Sequence, residues 1–350
     1  MSFTLTQAVD WGVALVPVLL LLGVFNWLDA YKLMNLPEIA VLLLLGAIGA
    51  LVAWPVSGRL LDALPIGFSL YSRFVAPWIE EAIKGALIIG LFRLNRIGYK
   101  LDAVISGFAI GAGFSVVENI FYLTLYPAFG TGTWLVRGFG TAIMHGTTLA
   151  VFASMAHEFA ERDLREAADY DFHLLWFIPG YGAAVALHTA FNQFANHPMT
   201  AMLGAVLFAP IVLIGILNFG TAEAQHWLAE ECAAHHVQLD ALRAGRWPDG
   251  VAGEKIASLA ARVDPQSAQR IRRYWEVQAW LVAEAEDVLI EEAARNLAFD
   301  RSEVRAAILE LEELKKSLGR STFTALHALL PFSRNDLWEV GELRQRLGRR

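Results

Sequence analysis

Ionisable side chains lie inside segments of the chain that are otherwise almost entirely apolar. The segment PWIEEAIKG brings Glu80, Glu81 and Lys84 within five positions, and Glu118 and His145 follow in later apolar segments. A charged residue at the centre of an isolated membrane helix costs at least about 2.5 kcal/mol, so such residues should face one another or water. The set of polar residues placed in this way is Glu80, Glu81, Lys84, Glu118, Asn119, Arg137, His145, His188 and Asn192.

The spacing of these residues indicates hydrolytic chemistry. Lys84 lies four residues after Glu80 and three after Glu81, so its ammonium can neutralise either carboxylate from one helical face. His188 and Asn192 are four apart and point the same way. A buried carboxylate is a competent general base for water, a histidine can relay the proton, and a His/Asn pair can donate to an oxyanion. Together these groups suit hydrolysis of a peptide bond.

The familiar protease signatures are missing from the sequence. No serine lies in a recognisable nucleophile elbow, and no HEXXH pair occurs. The only cysteine, Cys232, lies outside the polar set described above. The sequence therefore favours water activated by a carboxylate over serine, cysteine or zincin chemistry.

Composition indicates that the polar set lies in a membrane. The 350 residues are 56% hydrophobic and 18% charged, whereas an ordinary soluble domain has about 25% charged residues. About 20 apolar residues suffice to cross a bilayer core. Seven spans are predicted, at roughly 10–28, 38–55, 74–92, 102–123, 135–156, 174–195 and 199–219.

Charge divides the chain into two regions. Residues 1–220 hold 10 Lys and Arg and 14 Asp and Glu, whereas residues 221–350 hold 18 and 21. The predicted fold is all-α, with a polytopic transmembrane helix bundle of protease type at 1–220 and a small cytosolic domain of amphipathic helices at 221–350.

Several local patterns support helices in the tail. Asp264 is predicted to cap a helix that begins at Pro265, and Asp300 precedes Glu303 as in a capping box. Residues Ile271, Trp275, Gln278 and Val282 mark a mostly apolar stripe, and Gly319 is predicted to end the following helix. The segment 243–255 reads as a linker.

The basic residues of short loops predict the orientation. Loops 93–101 and 157–173 carry Lys or Arg, whereas 124–134 and 196–198 carry none. By the positive-inside rule the first pair is cytoplasmic. The sequence thus predicts an integral protein of the inner or plasma membrane, with its amino terminus outside and its tail in the cytoplasm.

The polar residues are predicted to share one layer of the membrane. Five of them lie five to ten residues from the predicted outer ends of their spans, namely Glu80, Glu81, Glu118, His145 and His188. At about 1.5 Å per residue this corresponds to a depth of about 8–15 Å. Gly107, Gly111 and Ser115 recur every four residues and lead to Glu118. Small residues at this spacing allow a neighbouring helix to approach closely.

Four motifs occur in order on successive predicted spans. They are EExxK at 80–84, FxxxEN at 114–119, a membrane-embedded His145, and HxxxN at 188–192. Over roughly residues 74–195 the chain resembles the PrsW family of intramembrane proteases, which is similar to the wider superfamily of CAAX-processing and bacteriocin-processing membrane endopeptidases. The resemblance implies a glutamate-dependent membrane endopeptidase, sometimes described as a metalloprotease. It also implies membrane-anchored anti-sigma factors as candidate substrates.

The resemblance also assigns roles to the residues. Glu80 would be the general base with Glu81 as its partner, His145 a proton relay or water ligand, and His188 and Asn192 the oxyanion donors. Glu118 would complete the catalytic set by orienting a histidine or accepting a proton. The supporting residues would be Lys84 and Arg137, which balance charge, and Asn119, which adds a hydrogen bond. Adjacent helical residues point about 100° apart, so spacing does not decide which glutamate is the base.

Three alternatives remain open at this stage. No cofactor is required by the residues, but a zinc-dependent version of the peptidase would use ligand types that are present, namely Glu80, Glu81, Glu118, His145 and His188. A proton-coupled or ion-coupled transporter would also place ionisable residues in a membrane. A non-catalytic scaffold, with ion pairs that lock the bundle and an Arg137 that snorkels to the interface, is the third.

The expected partners follow from this hypothesis. They are a membrane-protein substrate and the lipid bilayer. The C-terminal helices could dock a cytosolic regulator or stabilise the bundle, and the sequence does not choose between these roles. No nucleic-acid signature and no continuous basic patch occurs in the sequence, so no nucleic-acid partner is expected.

Overall fold

The structure, a computed structural model, describes residues 5–28, 36–126, 130–166, 172–194, 197–294, 301–332 and 334–348. Every regular element among these residues is a helix, which confirms the predicted all-α class. Contacts between Cα atoms divide the chain into two units, Met1–Gly220 and Thr221–Arg350.

The first unit contains helices α1 to α8 and the start of α9. Their bounds are α1 (Leu5–Leu28), α2 (Leu36–Ala63), α3 (Phe68–Leu70), α4 (Ala76–Arg93), α5 (Lys100–Leu125), α6 (Thr131–Val136), α7 (Ala142–Glu166), α8 (Phe177–Gln193) and α9 (Pro198–Arg243). Two π-helical segments lie between consecutive helices, Tyr71–Val75 before α4 and Arg137–Thr141 before α7. Single π turns within α-helices are frequent at functional sites.

Five helical segments of the described chain are long and apolar enough to cross a membrane. They are Leu36–Ala63, Lys100–Leu125, Thr131–Glu161, Leu174–Gln193 and Pro198–Ile216. Each coincides with one of the seven predicted spans. Helix α1 contains a shorter apolar stretch, Ala8–Val18. Helix α4 falls outside the set because its 18 residues include Glu80, Glu81, Lys84 and Arg93.

Helix α5 is the packing centre of the first unit. A Cβ atom added to Gly111 would meet the backbone of His145, and one added to Gly107 would meet the backbone of Leu149. The same helix approaches α2, where a Cβ on Gly46 would meet the Ile110 backbone. The predicted stripe of small residues therefore lets α7 lie directly against α5, which fixes the position of His145.

Residues 56–73, between the predicted spans 38–55 and 74–92, are largely helical in the structure. Helix α2 continues to Ala63, and Phe68 begins the helical turn that leads into the π-helical segment Tyr71–Val75. Ser57 and Ser72 are consequently parts of helical elements that line the cavity described below.

The described residues of the second unit form the end of α9 and five further helices. Their bounds are α10 (Val251–Ala260), α11 (Pro265–Ala294), α12 (Arg301–Leu318), α13 (Arg320–His327) and α14 (Arg334–Gly348). The predicted linker 243–255 is wrong in its last part, because α10 begins at Val251 and buries Ile256 completely. Gly250, which has a φ of 102°, is the last residue before α10.

The predicted helix start at Pro265 is confirmed. The Asp264 carboxylate accepts hydrogen bonds from the backbone N–H groups of Gln266 and Ser267, at 3.0 and 2.9 Å. The predicted apolar stripe of α11 is buried, including Gln278 at 5% exposure. Gly319, with φ of 74°, follows the last residue of α12 as predicted. Asp300 lies outside the described residues.

Candidate active site

The adjacent glutamates of α4 have different surroundings. The Glu81 and Lys84 side chains are both 0% exposed, and Lys84 Nζ lies 2.6 Å from Glu81 Oε1. The Glu80 side chain is 16% exposed and lines a cavity. The geometry thus separates two residues that sequence spacing could not, with Glu81 held in the interior and Glu80 facing open space.

Lys84 joins two helices of the site. Its ammonium contacts Glu81, His145 Nδ1 at 2.8 Å, and the face of the Phe114 ring at 4.7 Å. Because an ammonium can only donate, His145 Nδ1 must accept, and the neutral imidazole then carries its proton on Nε2. That nitrogen lies 2.9 Å from Glu118 Oε2, a carboxylate oxygen that can accept this proton's hydrogen bond.

His188 has the opposite tautomer. Its Nδ1 lies 2.8 Å from Glu81 Oε1, so the N–H at this position donates to the carboxylate. Its Nε2 is left as an acceptor, 3.9 Å from Glu80 Oε2. This separation is too long for a direct hydrogen bond and suits a water molecule or a cation that contacts both atoms.

Glu118 is balanced by Arg137. Arg137 Nη2 lies 3.1 Å from Glu118 Oε1, and its guanidinium stacks on the Tyr122 ring at 3.7 Å. Arg137 Nε donates to Asn119 Oδ1 at 3.1 Å, and Asn119 Nδ2 donates to the Ala14 carbonyl at 3.1 Å. These contacts join Arg137 and Asn119 to Glu118, and they disfavour an Arg137 that merely snorkels.

The two predicted oxyanion donors differ. Asn192 lines the cavity, and its Nδ2 donates one N–H to the Ser72 carbonyl at 2.9 Å. A carboxamide has a second N–H that remains available. In the tautomer described above, His188 Nε2 has no proton to donate. The geometry therefore suits Asn192 as a donor and His188 as an acceptor or metal ligand.

A cavity of about 610 Å³ opens beside these groups. Its polar side is formed by Glu80, Glu118, Arg137, His145, His188 and Asn192. Its other walls are mostly apolar and aromatic, and include Trp54, Phe68, Phe121, Phe191 and Phe194. The arrangement is that of a site where a few convergent polar groups meet an apolar binding surface.

Comparison with known families gives one match. The model of the PrsW family intramembrane metalloprotease matches residues 37–215, just over half of the chain. The chain belongs to the PrsW family. The predicted resemblance is confirmed, and this PrsW family protein is an integral membrane protease that hydrolyses peptide bonds in membrane-protein substrates. Comparisons with curated proteins and with solved structures give no match.

Part of the predicted zinc ligand set fits a metal. Glu80, His145 and His188 of this PrsW family protease each offer one ligand atom, and the three atoms lie within 4.8 Å of one another. Two histidines and one glutamate form a common catalytic zinc set. Glu81 contacts the His188 ring at 2.8 Å, the position of a carboxylate that orients a metal-binding histidine. Lys84 and Glu118 contact the two ring nitrogens of His145, so this residue would bind a metal only by giving up one of these contacts.

Sequence reasoning missed some parts of the site in this PrsW family protease. Tyr122, which stacks on Arg137, lies four residues after Glu118 on the same helical face, and this spacing was the available signal. Phe114 belongs to a quoted motif, but its contact with Lys84 needed the structure. The Ser72 carbonyl had no signal because backbone groups of a π-helical segment leave no mark in side-chain patterns.

Proposed function

We propose that this protease activates water with Glu80 and cleaves a membrane-anchored protein at the cavity. The observation that carries the proposal is the position of Glu80, which faces the cavity while the adjacent Glu81 is enclosed with Lys84. Among the described carboxylates of the site, Glu80 is also the one without its own Lys or Arg, because Lys84 contacts Glu81 and Arg137 contacts Glu118. Such a carboxylate readily accepts a proton.

The proposed reaction uses the gap between Glu80 Oε2 and His188 Nε2. A water molecule in this position donates one proton toward Glu80 as its oxygen attacks the scissile carbonyl carbon. An N–H of Asn192 donates to the oxyanion that forms. Glu80 then returns the proton to the departing amine, which leaves as the carbon–nitrogen bond breaks.

The remaining polar groups keep these reacting groups in place. Glu81 fixes the His188 ring through Nδ1, and Lys84 fixes His145 through its Nδ1. Glu118 holds the opposite edge of the His145 ring and is itself held by Arg137. Side chains that are locked by their neighbours lower the cost of reaching the reactive geometry.

A zinc-dependent version of the same peptidase is the second candidate. Glu80, His145 and His188 would hold the ion, which would act as a Lewis acid and lower the pKa of water. The closeness of these three ligand atoms and the family's description as a metalloprotease favour this candidate.

Chelation separates the two candidates. If Glu80 alone activates water, exhaustive chelation of purified protein in detergent leaves the cleavage rate unchanged. A loss of cleavage that added zinc restores would instead assign water activation to the metal ion. Magnesium added in place of zinc is the control, because it prefers oxygen ligands.

The proposed substrate is a protein anchored in the inner or plasma membrane and cut near its outer face. The apolar walls of the cavity suit an extended segment with apolar side chains. Anti-sigma factors are candidates by resemblance to the family. In this proposal the amino terminus lies outside, and residues 221–350 form a cytosolic helical domain on which a regulator docks.

Co-expression with a single-span reporter protein tests the proposal. Glu80→Gln and His188→Ala should each abolish release of the reporter's ectodomain while membrane insertion is unchanged. Glu158→Gln is a matched control, because Glu158 is a partly buried carboxylate of the same bundle that pairs with Lys100. Full release by both site variants would refute the proposal.

A further inference from the structure

A second group of histidine and carboxylates is buried in the second unit. His235 of α9, Glu286 of α11 and Asp336 of α14 have side chains that are 6%, 1% and 3% exposed. One ligand atom from each lies within 4.8 Å of the others. The protease reaction proposed above uses none of them.

The geometry of His235 is that of a metal-binding histidine. Its Nδ1 lies 2.7 Å from Glu286 Oε1, a hydrogen bond that fixes the proton on this nitrogen. Its Nε2 lies 3.4 Å from Asp336 Oδ2. Two ligands at about 2.1 Å from a tetrahedral zinc ion are about 3.4 Å apart, so this separation suits a shared cation. A carboxylate behind a ligating histidine is a common companion of such sites.

The negative charge of the two carboxylates also favours binding of a cation. Glu286 Oε2 is buried and has no hydrogen-bond partner, and His235 is the ionic partner that the described residues give to Glu286. A divalent cation would compensate this buried negative charge more fully than a neutral imidazole does.

We propose that His235, Glu286 and Asp336 form a structural site for a divalent transition-metal cation of the zinc type. The three residues come from three helices that are far apart in sequence. A cation bound among them would tie α9, α11 and α14 together within the second unit. Binding to the folded form alone would raise the thermal stability of this unit.

Zinc titration of the full-length protein tests the proposal. The protein is purified in detergent without a polyhistidine tag. It carries the substitutions Glu80→Gln and His188→Ala, which disrupt the candidate metal site of the first unit. After chelation, zinc is added and bound metal is counted by mass spectrometry, with Co²⁺ absorption as a report on geometry. We expect about one zinc per chain, because the substitutions disrupt one of the two candidate groups found among the described residues and leave the other intact.

Substitutions in the group locate the bound metal. His235→Ala should abolish binding, and Glu286→Gln should weaken zinc affinity about 10-fold to 100-fold while preserving the fold. A matched control is the exposed pair His236 and Asp287, 3.7 Å apart on the same two helices. His236→Ala and Asp287→Asn should leave zinc affinity unchanged. Circular dichroism confirms that each variant is folded.

Two results would overturn the proposal. The first is a folded protein that binds no zinc at neutral pH and whose His235 ring carries two protons by NMR. The second is zinc binding that survives His235→Ala with the same affinity. Neither result bears on Glu80, so the proposed function is tested independently.

Discussion

Two buried groups of histidine and carboxylate, one in each unit, use the same residue types in different surroundings. In the first unit, Glu80 and Glu118 are 16% and 21% exposed and border a cavity of about 610 Å³. In the second unit, His235, Glu286 and Asp336 are at most 6% exposed. The first group can therefore be reached by a substrate through the cavity, which suits catalysis, whereas the second is enclosed, which suits a role in stability.

The two groups also differ in how their charge is balanced. In the first unit, Lys84 and Arg137 each contact one carboxylate, so that Glu80 is left to bind a proton or a cation. In the second unit, the ionic partner of Glu286 is a histidine. The first group thus compensates Glu81 and Glu118 with fixed cations, whereas the second group pairs its carboxylates with a histidine and, in our proposal, with a metal ion.

Removal of the Lys84 ammonium from the first group should have the largest effect on the free energy of unfolding. Lys84→Met leaves Glu81 as a buried charge without a cation, which costs about 3–5 kcal/mol. Lys100→Met is the control, because the Lys100 pair with Glu158 is partly exposed and is worth less than about 1 kcal/mol. Denaturation in detergent measures both free energies of unfolding. Equal losses of unfolding free energy in the two variants would show that burial does not strengthen the contribution of the Lys84–Glu81 pair to stability.

A smaller loss is expected when the support of the first group is disturbed. Gly111→Ala places a methyl group against the His145 backbone, and overpacking of this kind costs about 1–3 kcal/mol. Cleavage should fall as well, because His145 shifts. Gly90→Ala is the matched control, since no atom lies within 4 Å of a Cβ added there. If Gly111→Ala behaves like Gly90→Ala in both assays, the close approach of α5 and α7 is not required.

The smallest effect is expected in the second group. In metal-free protein, Glu286→Gln keeps an oxygen that accepts the His235 N–H and loses only the charge, which costs about 1 kcal/mol. The cleavage rate should be unchanged when it is normalised to folded protein. A Glu286→Gln variant that is stable but inactive would contradict the division into catalytic and structural groups.

Much of the first group was predictable because a membrane restricts where charges can lie. Depth along the spans predicted that Glu80, Glu81, Glu118, His145 and His188 would meet, and their side chains do lie together. The motif order also predicted the family. The stripe of glycines before Glu118 predicted the close helix contact.

Other features depended on three-dimensional packing. Sequence spacing could not decide that Glu80 rather than Glu81 faces the cavity, because this depends on the rotation of α4. It also missed His235, Glu286 and Asp336, because in a helix-rich charged tail such residues usually lie on a solvated face. Their burial follows from how α9, α11 and α14 pack, which no local pattern records.

The most direct test of the central claim is the rate of peptide-bond cleavage by Glu80→Gln protein. The purified variant and wild-type enzyme are reconstituted in liposomes with a membrane-anchored reporter, and cleavage is followed under single-turnover conditions. Loss of a general base predicts a rate lower by about 10²-fold to 10⁴-fold with unchanged stability. A Glu80→Gln rate within about twofold of wild type, a change of less than about 0.5 kcal/mol in the barrier, would contradict the account.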